Sequence, residues 1–473
     1  MTWFQDDIRT PGSGELRARH PVRIGTVHPR GGVLGLLPEL SRDPLGLFER
    51  CARDYGDLVH LRLGLTRMVL INHPDLVEEL LVTNNRDFQR GLRSQHLSSA
   101  LGNGLLVSEG DFWLRQRRLM QPGFHRQRVE AMGASMVAIA SNVIDQWVPG
   151  QSCDIYQEMT EITLQIAART LFGADVRQDL KRIRRSASTM TDHIRSRLFT
   201  LMLLVPDSVP TPGNVRYAAA VRELDTLIYR LIAQRRATTN TRPSDLLDVL
   251  LAARDADDAA MTDRQVRDEV ITIMSASYDT TALALTWAWV LLAQHPLVAG
   301  RLFATIDAVL GDRLPTASDV ARLPEVKQVV AETLRLYPST WAIGREAVND
   351  TLLGGQRIRK GTTVLLSPWL LHHDARFFDQ PATFRPGRWA DGLAQRLPRF
   401  AYAPFGGGQR VCIGSEFAQL EIALVLTTIA QRFRIELSDP KRVPQPMPVL
   451  TLQPRGGVSV TLAAHPRTGA LLA

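Results

Sequence analysis

The chain has 473 residues, 45% hydrophobic and 22% charged, a globular balance that is neither disordered nor fibrous. Its 56 Lys and Arg against 48 Asp and Glu leave a formal charge of +8, but no uninterrupted basic run of five and no zinc-finger spacing occurs, which argues against a nucleic-acid partner. Cys51, Cys153 and Cys412 lie far apart and are odd in number, so they form no disulfide framework and fit a reducing compartment.

In chain order, residues 1–30 are polar and read as a loosely ordered arm, neither signal peptide nor membrane anchor. No stretch of 18 apolar residues follows, so a soluble, cytoplasmic protein without a membrane anchor is expected. Asp57–Pro74 alternates apolar and polar residues and predicts two strands turning near Leu65–Arg67. Helical periodicity then dominates, broken at 148–152, 205–214 and 236–245. Thr262 and Gln265 make a capping box for a helix running to about Gln294, roughly 48 Å at 1.5 Å per residue. It is apolar all round after its first turns, so it should cross the protein centre. Asp279 is its only acid or strong base from Val270 to Gly300, and a lone buried acid needs a partner or a task. Strands are predicted within 351–368, turning at Arg359–Gly361, and a small hairpin over 451–462. With no repeat and no flexible linker, the reading is a single domain spanning 1–473, mainly α with a minor β-sheet.

The strongest chemical signal is Pro404–Leu426, where three glycines precede Cys412, Gly414 follows, and a helix begins at once. Backbone N–H groups in such a loop, with a helix N-terminus behind them, favour a thiolate. One thiolate without Cys or His neighbours is poor for structural zinc, which takes four ligands. It suits haem, which brings four nitrogens and needs one axial ligand.

FGGGQRVCIG resembles the Phe-x-x-Gly-x-Arg-x-Cys-x-Gly ligand loop of the cytochrome P-450 superfamily. Other segments match in the family's order over almost the whole chain. The resemblance implies a fold in which haem b is buried between a long central helix and the loop of Cys412, its metal-ligating axial thiolate. It implies that Trp113, Arg117, Arg345 and Arg410 serve the haem propionates. By the same likeness Phe405 packs near the sulfur and the Gly414 N–H donates to it. Ala276-Ser277-Tyr278-Asp279-Thr280-Thr281 is similar to the family's oxygen-activating segment, with Ala276 beside the cofactor and Asp279 and Thr280 as the catalytic proton relay. Ser277 stands where Gly is usual, which puts the local helix bulge in question. Glu332, Arg335 and Arg388 resemble the family's structural Glu-Arg-Arg triad. His372 and His373 lack a third ligand nearby and read as structural.

By position in relatives, Leu97, Leu101, Phe199, Leu203, Trp341, Ile343 and Leu450 line the substrate pocket. Without a charged cluster to grip an anion, the substrate is expected to be hydrophobic: a terpenoid, fatty acid, steroid or macrolide-like compound. The implied activity is dioxygen-dependent monooxygenation (hydroxylation or epoxidation) in bacterial secondary metabolism. A haem-thiolate peroxygenase or isomerase, or a non-catalytic haem sensor, is the alternative; Asp279 and Thr280 favour oxygen activation. No flavin or iron–sulfur segment is evident, so a separate ferredoxin or flavodoxin with its reductase is expected. Five arginines between Phe112 and Val129 offer a dock for such an acidic donor. The protein is expected to be a monomer.

Overall fold

The computed structural model of the chain describes residues 21–27, 35–64, 66–91, 97–198, 209–237, 245–254 and 259–465. Its axis is the central helix, Asp263–Gln294, of 32 residues. Both halves of the capping box form: the Gln265 N–H donates to Thr262 Oγ1 at 3.2 Å and the Thr262 N–H to Gln265 Oε1 at 2.8 Å. The helix stops at His295 because Pro296 opens the next one, Pro296–Leu310, bent 112° away. From Thr281 to Leu292 every residue is buried, as an all-round apolar sequence requires. Helices Arg126–Ile144, Ile155–Phe172, Pro324–Leu336 and Ser415–Ala430 surround it and share one main core with it. No single described helix is long and apolar enough to cross a membrane.

The strands in chain order are β1 (Ile24–Thr26), β2 (Leu58–Leu63), β3 (Thr66–Ile71), β4 (Phe88–Gln89), β5 (Ser152–Asp154), β6 (Ile343–Ala347), β7 (Thr351–Leu353), β8 (Gln356–Ile358), β9 (Thr363–Leu366), β10 (Phe433–Leu437), β11 (Pro446–Pro448), β12 (Leu452–Pro454) and β13 (Ser459–Ala464). Six form one sheet in the order β1-β2-β3-β9-β6-β4; β10-β13-β5 form a second. The body is thus mainly helical with minor sheets, and β2 and β3 pair antiparallel around Gly64.

Three expectations need correction. Ile24–Thr26, inside the supposed loose arm, pairs parallel with β2; residues 1–20 and 28–30 of that arm lie outside the described residues. The 351–368 region turns first at Gly354–Gly355, both with positive φ, joining β7 to β8 as a two-residue hairpin. The expected turn at Arg359–Gly361 does form, with the Thr362 N–H on the Arg359 carbonyl at 3.0 Å, but the chain then changes sheets, and β9 runs parallel to β3. Nor do residues 451–462 make a hairpin: β12 pairs back with β11, while β13 pairs with β10 and β5. Gly456 and Gly457 do adopt positive φ. A turn signal fixes a reversal but not which strands then pair, and longer-range ladders win here.

Candidate active site

The cysteine loop is shaped by glycine. Gly406 and Gly408 hold φ of 71° and 65°, and a Cβ on Gly408 would strike the Leu81 carbonyl, so L side chains are excluded twice over. The Cys412 N–H donates to the Phe405 carbonyl at 3.0 Å, closing the loop; the Phe405 ring packs against the main core. Helix Ser415–Ala430 begins directly after Gly414. Burial pushes the Cys412 thiol up, while the Gly414 N–H and the Arg117 charge pull it down toward thiolate. Cys412 lies deep within the chain yet its side chain is uncovered, so it borders an internal cleft. Ala276 is likewise uncovered in the middle of the central helix, between a buried first half and a buried second half. Their chain neighbours Ile413 and Met274 pack on the same core.

Four arginines gather beside the loop. Arg117 donates to the Val411 carbonyl at 2.8 Å. Arg410 sits over the buried Trp113 ring at 4.3 Å, donates to the Ser108 carbonyl at 3.0 Å and pairs with Glu109. Arg345, on β6, donates to the Gly344 carbonyl of its own strand at 2.9 Å. Arg90, just past β4, was not singled out by sequence; its backbone N–H donates to Glu109 at 2.7 Å. Burial and the like charges of Arg345 and Arg410 push Arg90 down to about 9, and burial with Arg410 pushes Arg345 to about 10. Among the described residues, buried Arg90 Nε and Arg410 Nη1 have no partner. Three guanidiniums thus share one carboxylate, and two of them keep unused donors. That is the donor set a dianion needs, and the residues fit haem with its two propionates and one axial thiolate.

On the central helix, Thr280 donates to the Ala276 carbonyl at 2.8 Å and Ser277 to the Met274 carbonyl at 3.1 Å. Neither breaks the helix, which stays continuous through 276–280. Asp279 Oδ1 accepts from the Tyr156 hydroxyl at 2.6 Å, and Oδ2 from Thr451 Oγ1 at 2.9 Å. Burial pushes Asp279 up; those two bonds oppose it. Tyr156 and Thr451 were invisible to sequence reading, because they come from segments 123 and 172 residues away. The same holds for Glu421, a fully buried carboxyl beside Thr281 that burial drives well above the usual range.

Glu332, Arg335 and Arg388 meet. Glu332 accepts from Arg335 Nε and Nη2, Arg388 Nε, Trp389 Nε1 and the Arg385 N–H, each at 2.9 Å. Arg335 reaches on to the carbonyls of His372 and Pro381 at 2.8 and 2.6 Å. His372 Nε2 accepts from the Ala403 N–H at 3.0 Å, and His373 Nδ1 meets the Trp369 carbonyl at 2.8 Å. Burial pushes both imidazoles down, to about 3 and about 4, so both are neutral. Among the described residues no cluster of three His, Cys, Asp or Glu is placed to hold a metal.

Of the expected pocket residues, Leu101 is buried in the main core and Leu97 packs against it. Ile343 packs against a second cluster around β3 and β9. Trp341 is buried against Phe48, with its indole N–H on the Val449 carbonyl at 2.9 Å, while the neighbouring Leu450 is exposed. Phe199 and Leu203 lie outside the described residues.

Comparison with known proteins agrees with this architecture. The cytochrome P450 family model matches residues 26–460. Cyclooctatin synthase of Streptomyces melanosporofaciens is 35% identical over 446 residues, 94% of each chain. Cyclooctat-9-en-7-ol 5-monooxygenase of the same organism is 36% identical over 428 residues, 90% of this chain and 92% of that one. Pentalenene oxygenase of Streptomyces avermitilis is 33% identical, covering 88% of this chain and 92% of its own. With a glycine-shaped cysteine loop, a cluster of arginines beside it and relatives matched nearly end to end, the chain belongs to the cytochrome P450 family and is one of its monooxygenases.

Proposed function

We propose that this enzyme inserts one oxygen atom of dioxygen into a cyclic terpenoid, a largely hydrocarbon substrate. The observation that supports this reading is that Cys412, in its glycine-shaped loop, and Ala276, three residues before Asp279 on the central helix, both stay uncovered, set beside relatives named for an alkene (pentalenene) and a monohydric alkenol.

Haem bound through Cys412 supplies the activation of dioxygen. The chain's own residues do the rest. Arg90, Arg345 and Arg410 bind carboxylates, with Arg117 and Trp113 behind them. Gly414 N–H steadies the sulfur's negative charge. Ala276 keeps the central helix slim where the cleft opens. Asp279 takes up a proton and Thr280 passes it on, because cleaving the O–O bond demands protons in a site that excludes water. Glu332, Arg335 and Arg388 hold the segment leading into the loop. Of the expected wall residues, Leu97 and Ile343 are partly buried against the core and are the ones left to face a substrate, whereas Leu101 and Trp341 are core and Leu450 is exposed. Electrons come from a separate ferredoxin or flavodoxin with its reductase, docking where the helix Gly110–Met120 meets the start of the helix Arg126–Ile144, with Arg118 and Arg126 exposed and Arg128 half-buried.

The test is a visible spectrum titrated with cyclic terpenes, fatty acids, steroids and macrolides. Terpenes alone should shift the iron from its resting state. Cys412→Ser should abolish the long-wavelength band of the reduced carbonyl form, and Thr280→Ala should divert electrons into peroxide. A response confined to another class overturns the substrate assignment; an unchanged carbonyl band in the serine variant overturns the ligand.

A further inference from the structure

The Asp279 carboxylate is buried, and its two described partners, which occupy both oxygens, are neutral hydroxyls. Tyr156 is fixed at the first turn of the helix Ile155–Phe172, where Asp154 caps the Tyr156 N–H at 3.0 Å and also accepts the Val458 N–H at 3.1 Å. Thr451 is fixed from both sides. Its carbonyl accepts from the Val449 N–H at 3.0 Å, and the next residue, Leu452, is tied to the Ser339 carbonyl at 3.0 Å and to Trp287 Nε1 at 2.9 Å. The peptide carbonyls flanking Asp279 are pinned too: Tyr278 by Thr163 Oγ1 at 2.9 Å and Thr280 by Ser339 Oγ at 2.8 Å. Three distant parts of the chain therefore converge on one turn of the central helix.

We propose that Tyr156 and Thr451 are positioning residues for the Asp279 carboxylate: Tyr156 is the pivot that keeps it ionised, and Thr451 is the weaker latch that it leaves to hand on a proton. The inference rests on the reading of Asp279 as the relay acid. The assignment of pivot and latch follows from bond strength. The phenol bond has the short length of a charge-assisted O–H···O⁻ contact, and the threonine bond is longer. Tyr156 stays a donor, because burial and the adjacent carboxylate hold its own proton firmly. The groups that face Asp279 are few. Tyr156 stands on the neighbouring helix with Asp154 behind it, Tyr278 stands on the central helix itself, and the segment 446–454 brings no ionisable group. No cation acts on Asp279 among the described residues, so the hydroxyls alone oppose burial.

The sign of the effect follows. Removing a donor leaves burial less opposed, so the carboxylate holds its proton to higher pH. A relay that needs the anion then fails sooner as pH falls, and the acidic limb of the rate profile moves up. Loss of a hydrogen bond to a charged group corresponds to about one pH unit or more.

The experiment uses the haem-loaded enzyme with a plant-type ferredoxin, its reductase and pentalenene as the probe, recording NADH consumption and peroxide release from pH 5 to 9. Tyr156→Phe should raise the acidic limb by about one pH unit and increase peroxide; Thr451→Val should do so less, and Thr451→Ser should restore the parent profile. In an Asp279→Asn background both changes should be silent. If Asp279→Asn alone changes nothing, the relay reading itself falls, and this inference with it. If Asp279→Asn slows turnover while Tyr156→Phe and Thr451→Val keep the parent profile, or act equally in both backgrounds, the positioning role is overturned and the acid's role stands.

Discussion

Two buried arginine clusters flank the cysteine loop and are built on opposite principles. Around Glu332, two guanidiniums, an indole N–H and a backbone N–H converge on one carboxylate, and no polar atom of Glu332, Arg335 or Arg388 is left without a partner. Around Glu109, Arg90, Arg345 and Arg410 share one carboxylate, and donors on two of them are idle. Burying charge is costly unless it is paired. The first cluster is therefore complete as folded, whereas the second is complete only with an anionic ligand. The difference teaches that residue type does not separate a structural cluster from a binding one; the balance of charge and donors does.

Three measurements bear on that distinction. The largest effect should come from Glu332→Ala, which strands two buried guanidiniums and should remove roughly 3–5 kcal/mol of stability in urea unfolding; a loss under about 1 kcal/mol would mean the cluster is not what holds this region. Arg345→Leu should act differently. Haem transfer to an acceptor apoprotein should speed up about tenfold, the worth of one charge-assisted bond, while the haem-free protein becomes no less stable. A haem-free variant as weakened as Glu332→Ala would erase the contrast. The third measurement concerns a buried carboxyl of neither kind. Glu269, on the central helix, accepts the Leu105 N–H at 2.9 Å and has no other partner among the described residues, and burial raises it from 4.5 to about 8. It stays protonated in the fold while ionising in the unfolded chain, so it lowers stability as pH rises from 4.5 to about 8 and no further. Glu269→Gln should flatten the urea midpoint over that window and leave it unchanged below pH 4.5. A parallel pH slope in the variant would assign the dependence to another group.

What sequence makes legible here is what lies close together along the chain. The cysteine loop spans ten residues, Glu332 and Arg335 are one helical turn apart, and the capping box of the central helix needs only Thr262 and Gln265. Each carries its chemistry in its own spacing. Arg90 sits in an ordinary FQRG segment, Glu109 in SEGD, and Tyr156 and Thr451 among plain neighbours. Arg90 meets Glu109 across 19 residues, Arg410 meets Glu109 across 301, and Tyr156 and Thr451 meet Asp279 across 123 and 172, spans that no local pattern encodes. The same limit explains the strand errors. Gly361 and Gly456–Gly457 mark reversals, but pairing beyond them is decided by β3, β10 and β11, remote or on the other side of the turn.

The excess of positive charge around Arg90, Arg345 and Arg410 also has a consequence for how the enzyme matures. Those side chains come from segments separated by 255 and 65 positions, as their numbers show. In a newly made chain they repel one another, so the walls that carry them resist closing. The Glu332 cluster carries no such barrier and can form first. The expected order of maturation is therefore a self-sufficient scaffold followed by closure on the arriving cofactor. A cell short of haem would accumulate an open, protease-sensitive form, with the first cuts falling near residues 90, 345 and 410 and sparing 332.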